Sequence, residues 1–395
     1  MTILVTGGAG YIGSHCVQQL LAAGQKVCVI DNLSRGHREA VPSQASFFQL
    51  DLGETDELID VMKSQRIEKV IHFAALAYVG ESVENPLPYY ANNTAGTLSL
   101  LQAMRQSRVS QIVFSSTCAT YGIPEQIPVT EESAQSPINP YGWSKLFIEQ
   151  ILTDCASSYP NFGFIGLRYF NVAGCAMNGS LGEDHSPETH LIPNCLNTVL
   201  GKQSHVTILG NDYPTADGTC IRDYIHVEDI CRAHLLALNA LTPQANRFYN
   251  VGLGSGFSVL DVVKTTEQVT GREIPIEYQA RRPGDPPVLS ASHEKITREL
   301  GWSPRHTSLT EIIESAWNWF QKHPDGYQGL GQGQGPTASP GDSGEQARTT
   351  GFLKSGFRDN SAPLKPRRLP SSSSNWRRVR NACMSSRPPV PAKPC

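Results

Sequence analysis

The chain opens with a short apolar run, residues 3–6, that breaks directly into Gly7-Gly8-Ala9-Gly10-Tyr11-Ile12-Gly13. This glycine spacing between a strand and a helix constrains the fold more than any other feature. Gly7 and Gly10 let the backbone turn tightly and leave room beside it, while Gly13 lets the next helix pack closely on the strand. Val17, Leu20 and Leu21 then recur at helical spacing, and Gly24 suits the left-handed position that ends a helix.

Further runs at 27–30, 70–73 and 112–115 are short, β-branched and almost wholly apolar, as strands covered on both faces must be. Alternation of such runs with helical stretches predicts an α/β fold, a Rossmann-type doubly wound parallel sheet. Asn139-Pro140-Tyr141 predicts another helix start, because asparagine caps well and proline tolerates the first helical position. Beyond Tyr169 the alternation fades. We expect residues 1–170 to form a dinucleotide-binding domain, which 223–251 rejoin through a helix at 223–238 and a strand at 247–251. The segments 171–222 and 252–327 are expected to form a smaller substrate-binding lobe.

Hydrophobic residues make up 39% of the 395, enough for a substantial core. The formal net charge of −3 hides an asymmetry, since eleven Lys and Arg stand against three Asp and Glu after Tyr327. Residues 328–395 are rich in Gly, Gln, Ser, Pro and Arg. They carry too little apolar surface to offset ordering, so a disordered basic tail is expected, and no nucleic-acid partner is inferred from it. No apolar run of membrane length and no leader pattern is read, so the expectation is a cytoplasmic protein without membrane contact. The ten cysteines are scattered without C-x-x-C spacing and imply neither zinc nor disulfides.

A helix N-terminus behind a glycine turn offers oriented N–H groups and partial positive charge to a pyrophosphate. Asp31 closes the second strand at the distance expected for a carboxylate that binds adenosine ribose hydroxyls. It would repel a 2′-phosphate, which favours NAD over NADP. Tyr141 and Lys145 share a helix face at i, i+4, and the lysine cation is expected to draw the phenol pKa down toward neutrality, making Tyr141 a proton shuttle. Ser115-Ser116-Thr117 ends the fourth apolar run, where ligands of open α/β sheets bind. Together these groups describe a hydride-transfer site.

In these features, and in TGGAGYIGSH, IHFAAL, VGES, SSTCATYG, NPYGWSK, LRYFNVAG, GNDYPTADGTCIRDYIHV and RRPGD, the chain resembles the extended short-chain dehydrogenase/reductases. Within them it resembles the UDP-glucose 4-epimerase family over residues 1–327. The resemblance implies an NAD-dependent isomerase that interconverts UDP-glucose and UDP-galactose, and a homodimer. It implies catalytic roles for Thr117, Tyr141 and Lys145. It implies cofactor contacts at Tyr11, Ile12, Asp31, Asn32, Leu33, Ser34, Arg35, Gly36, Asp51, Leu52, Phe73, Ala74, Ala75, Leu76, Asn92 and Phe170. For the UDP-sugar it implies Asn171, His190, Leu191, Thr207, Leu209, Arg222, Tyr224, Arg282, Asp285 and Leu289 beside Thr117 and Tyr141. Arginine suits the pyrophosphate because its fork donates two hydrogen bonds at once.

Three departures matter. Thr117 replaces a serine common in relatives but keeps the hydroxyl. Ala77 stands where some place a lysine near the cofactor phosphates. Leu289 replaces a tyrosine beside the sugar, which opens space for an N-acetyl group. A nucleotide-sugar dehydratase would need an acid/base pair after the strand-end hydroxyl, and here Cys118-Ala119 follow Thr117. A UDP-pentose or UDP-hexuronate epimerase differs only in pocket shape. A non-catalytic NAD sensor would be expected to lose the tyrosine or lysine, and both are present.

Overall fold

The first strand alternates Ile3 and Val5 with Leu4, and these side chains enter different cores, so helices must cover both faces of the sheet that contains it. The computed structural model describes residues 1–282 and 285–328. The expected disorder of the tail from 329 onward lies outside the described residues.

In chain order the first half contains β1 (Thr2–Thr6), α1 (Tyr11–Ala22), β2 (Lys26–Asp31), β3 (Ser46–Gln49), α2 (Thr55–Ser64), β4 (Lys69–His72), α3 (Val79–Glu84) and α4 (Pro86–Tyr89). A π-helical turn, Tyr90–Ala95, leads into α5 (Gly96–Gln106), β5 (Gln111–Ser115), α6 (Pro140–Ser158), β6 (Gly163–Arg168) and β7 (Asn171–Ala173). Then come α7 (Leu191–Val199), β8 (Val206–Leu209), β9 (Ile221–Arg222), β10 (Tyr224–His226), α8 (Val227–Ala240), β11 (Asn246–Asn250), β12 (Phe257–Ser258) and α9 (Val259–Thr270). The described elements end with β13 (Ile276–Gln279), β14 (Val288–Leu289), α10 (Glu294–Leu300) and α11 (Leu309–Lys322).

The main sheet has the order β11-β6-β5-β4-β1-β2-β3 and every pairing in it is parallel. Strand order reverses between β1 and β4, which opens the crevice where ligands of such sheets sit. On one face α1 and α8 bury Val17, Leu20, Ile230 and Ala237 against Ile3, Val5 and Ile71. On the other, α2, α5 and α6 bury Leu58, Met62, Leu100, Ile148 and Leu152 against Leu4, Val70 and Phe114. A third core joins α7, α9 and α11 through Leu196, Val262, Ile312 and Trp319. Among the described residues no helix is long and apolar enough to cross a membrane, and the eight cysteines there are free.

Two readings of the sequence need correction. Strand β3 was not foreseen, because only Phe47 and Phe48 interrupt a polar context and an edge strand carries a weak pattern. The helix expected at 223–238 begins instead at Val227. Tyr224, Ile225 and His226 pair in parallel with Asn171, Val172 and Ala173, and His226 Nδ1 then accepts from the Glu228 N–H to cap α8.

Four buried histidines work against the folded state in acid, opposed in part by Asp223, whose carboxyl is raised by burial to about 6. Burial lowers His15 and His234 to about 4 and His72 and His226 to about 3. His72 is fixed between the Thr6 hydroxyl at 2.7 Å and the Thr97 hydroxyl at 2.9 Å. Because the folded chain holds these rings neutral, their contribution is present above the unfolded value of 6.5 and is lost as pH falls below it. Each gives a slope of up to about 1.4 kcal/mol per pH unit. We expect the melting temperature to fall steadily between pH 6.5 and pH 5; an unchanged or rising value would contradict this assignment.

Candidate active site

The glycine turn is shaped by contacts that tolerate no side chain. Gly7 has φ +71, and a Cβ there would lie 2.5 Å from the Ala74 nitrogen. One on Gly13 would overlap the Gly7 carbonyl. Gly10 differs, since its added Cβ would meet only the Gly7 carbonyl oxygen, at 3.4 Å, so the backbone there stays open to a ligand. Asp31 is fixed at the next turn, its carboxylate accepting from the Ala9 N–H at 3.0 Å and the Leu33 N–H at 2.8 Å. Asn32 donates to Asp51 at 2.7 Å, which joins the ends of β2 and β3. Open backbone at Gly10, a helix N-terminus and a fixed carboxylate fit the pyrophosphate and ribose of NAD.

The wall facing this turn is built on Asn93. It accepts from the Leu76 N–H at 2.8 Å and donates to the Ser144 hydroxyl at 3.0 Å, so the 73–76 loop and α6 are clamped together. Asn92 donates to the side-chain Oδ1 of Asn93 at 2.9 Å. The Asn139 side chain caps α6 by accepting from Gly142 N–H at 2.8 Å, and this places Tyr141 in its first turn. Thr117 caps the short turn after β5, its hydroxyl accepting from the Ala119 N–H at 3.1 Å. Lys145 Nζ donates to the Ser115 carbonyl at 2.8 Å and lies 4.9 Å from the centre of the Phe114 ring.

The charge states depart from the expectation that Lys145 lowers the phenol pKa. Burial pushes Tyr141 up to about 12, while its interaction with the Thr117 hydroxyl pulls the other way. Burial also brings Lys145 down to about 7, against the opposing field of Glu149. Desolvation outweighs the pairing that the i, i+4 spacing suggested, because the lysine amine is held at the Ser115 carbonyl.

Beneath Thr117 lies a buried network that spacing could not reveal. Arg168 donates to both Glu149 oxygens, at 2.9 and 2.6 Å, and to the Tyr121 hydroxyl at 2.8 Å. Ser116 donates to Glu149 at 2.6 Å, and Tyr121 reaches Asn250 of β11 at 2.7 Å. Phe170 packs over this corner with Cys118, Tyr121 and Ala291.

At the far end, Arg222 of β9 pairs with Asp285 at 2.6 Å, and Tyr213 lies 3.4 Å from the same carboxylate. The Arg282 carbonyl accepts from the Asp285 N–H at 3.2 Å. Leu289 of β14 sits in register with Arg222, Asn171 begins β7, Leu191 begins α7, and Thr207 and Leu209 lie on β8. Arg222, Asp285 and Leu289 thus come together, while Arg282 joins them through its main-chain carbonyl with its side chain exposed. Two others do not join them. Tyr224 is buried in the core of α7, α9 and α11, since β10 turns that side chain inward. His190 commits its ring and its main-chain N–H to Glu188, at 2.9 and 2.8 Å. Arg35 is held by Glu81 at 2.9 Å and lies over the Tyr78 ring.

Known proteins resemble this chain in sequence and fold. The model of the NAD dependent epimerase/dehydratase family matches residues 3–252. The UDP-glucose 4-epimerase of Lacticaseibacillus casei is 49% identical over 328 residues, which are 83% of this chain and 99% of that one. The solved UDP-glucose 4-epimerase of Bifidobacterium longum, in complex with NAD+ and UDP, is 38% identical with a TM-score of 0.79, covering 82% of this chain and 100% of its own. The UDP-Glc/GlcNAc 4-epimerase of Campylobacter jejuni is 41% identical with a TM-score of 0.71, covering 81% and 99%. With its glycine turn at the crevice between β1 and β4, and Thr117, Tyr141 and Lys145 on the facing wall, the chain belongs to the NAD dependent epimerase/dehydratase family.

Proposed function

We propose that this enzyme inverts C4 of UDP-glucose and UDP-galactose reversibly while retaining NAD. The observation that carries the reading is the conjunction of Thr117 and Tyr141 on one wall of the crevice, with Cys118 and Ala119, rather than an acid/base pair, following Thr117. Bound NAD would supply the oxidising and then the reducing equivalent at C4. Gly10, Tyr11 and Ile12 would hold its pyrophosphate on the turn that Gly7 and Gly13 make possible, Asp31 would hold its ribose, and the 73–76 loop would line the rest of its site.

Tyr141 takes the C4 hydroxyl proton and later returns it, with Thr117 bridging the two oxygens by hydrogen bonds. Since burial raises the Tyr141 phenol and Lys145 is held at the Ser115 carbonyl, the positive charge that favours the ionised form would come chiefly from the oxidised cofactor when bound. Arg222, Arg282 and Asp285 grip the nucleotide, and the sugar is left loosely held so that it can turn its other face before the proton returns. Uneven grip is what epimerisation requires.

Leu289 favours a second substrate class. It lies half-buried beside Arg222, where a side chain smaller than tyrosine leaves room for a C2 acetamido group. A panel of UDP-galactose, UDP-N-acetylglucosamine and UDP-xylose, followed by chromatography, tests both readings. We expect the first to turn over fastest and the second measurably; faster turnover of UDP-xylose would indicate a pentose epimerase, and undetectable binding of UDP-N-acetylglucosamine would dismiss the second class.

A homodimer is supported by an exposed apolar face on neighbouring helices, with Leu98 on α5 and Trp143 and Phe147 on α6. The Trp143 and Phe147 rings lie 5.7 Å apart, and Tyr90 lies 6.0 Å from Phe147. A patch of this kind commonly marks an interface. A cytoplasmic setting and a place in galactose metabolism accord with this substrate.

A further inference from the structure

The irregular segment that leads into α7 gathers four potential metal ligands within eight residues, Glu183, His185, Glu188 and His190. One ligand atom from each lies within 4.8 Å of all the others. His185 Nδ1 is 3.3 Å from Glu183 and 3.6 Å from Glu188, and His190 Nδ1 is 3.0 Å and 2.9 Å from the same two carboxylates. Four ligands at about 2.0–2.2 Å from a zinc ion define a tetrahedron with edges of about 3.3–3.6 Å. The distances from His185 match those edges, and those from His190 are a few tenths of an ångström shorter, with Glu188 turning Oε2 to His185 and Oε1 to His190.

Hydrogen bonding accounts for only the side of the cluster where Glu188 meets His190, at 2.9 Å. Glu183 is 4% exposed, and its Oε1, though 3.0 Å from His190 Nδ1 and 3.3 Å from His185 Nδ1, makes no well-directed hydrogen bond, nor does His185 Nδ1. Leaving a buried carboxylate oxygen unsatisfied is costly, whereas a cation at the centre would engage both atoms through their lone pairs. The imidazoles are also held in place from outside. Tyr11 and Tyr78 meet His185 edge-on with ring centres at 6.2 and 5.9 Å, and Tyr78 meets His190 at 6.1 Å. Glu183, His185 and Glu188 line an open polar cleft with Asn194 and Lys202, which gives an ion a path in.

We propose that Glu183, His185, Glu188 and His190 form a site for a divalent transition metal of the zinc class. With four protein ligands the site is closed and therefore structural. It would fix the fold of residues 183–190, whose His185 packs edge-on against Tyr11 at the start of α1.

The test uses tag-free full-length protein, stripped with a strong chelator, dialysed against zinc chloride and analysed for metal by mass spectrometry. One zinc ion per chain should survive gel filtration, and Glu183→Gln and His185→Ala should each weaken retention by at least about tenfold. Cobalt loading of the unaltered protein decides the matter even if both variants misfold, since a tetrahedral nitrogen and oxygen site gives intense visible absorption. Absence of retained zinc, or equal retention by His185→Ala, would overturn the proposal. So would a weak octahedral cobalt spectrum or a sulfur-to-cobalt band, the latter placing the metal on the cysteines.

Discussion

Tyr141→Phe is expected to lower kcat by about 10²- to 10⁴-fold, the usual contribution of a positioned general acid/base, while the fold and UDP-sugar binding survive. The ring can remain where it is. Its edge-on packing against Tyr89, with centres 6.5 Å apart, does not use the hydroxyl, and the bond that ties this residue to Ser82 comes from its main-chain N–H. Only the proton acceptor is removed. Thr117 cannot take its place, because an aliphatic hydroxyl is a far weaker acid and this one already accepts from the Ala119 N–H. Steady-state kinetics with UDP-galactose checks this, and retention of more than about a tenth of the activity would remove Tyr141 from the role assigned above.

Glu149→Ala should destabilise the protein by about 3–5 kcal/mol, because it strands a buried cation. Arg168 is 4% exposed, and removing its carboxylate leaves the guanidinium with the Tyr121 hydroxyl and the faces of the Tyr121 and Phe248 rings. The loss should reach the active site as well. Ser116, next to Thr117, loses its acceptor, and Gln135 loses its bond at 2.9 Å. Glu149→Gln keeps an acceptor oxygen without the charge and should fall between the two. Chemical denaturation of the three proteins would show this ordering; an alanine variant as stable as the parent would mean that the pair does not organise the end of β5.

Much of the frame could be read from the chain because it rests on local rules. Gly7 and Gly13 sit where a Cβ cannot, Asn139 and Pro140 start α6 by capping chemistry, and the apolar runs of β1, β2, β4 and β5 carry the pattern of strands covered on both faces. What escaped depends on long-range pairing. Residues 224–226 look helical until β7 offers them a partner, and nothing near Glu149 in sequence announces Arg168 or Asn250. Tyr141 and Lys145 were legible as neighbours on one helix face. Their charge states were not, because burial is a property of the assembled fold. The Glu-x-His-x-x-Glu-x-His spacing of 183–190 matches no common metal motif, and only the folded segment brings its four side chains within 4.8 Å of one another.

The most direct test of the central claim is to give the purified enzyme UDP-galactose labelled with deuterium at C4, with no added cofactor, and to analyse the product by mass spectrometry and NMR. We expect UDP-glucose that carries the label at C4, with no deuterium lost to solvent. Formation of no UDP-glucose, or of product whose label has washed out into water, would contradict epimerisation on a retained NAD.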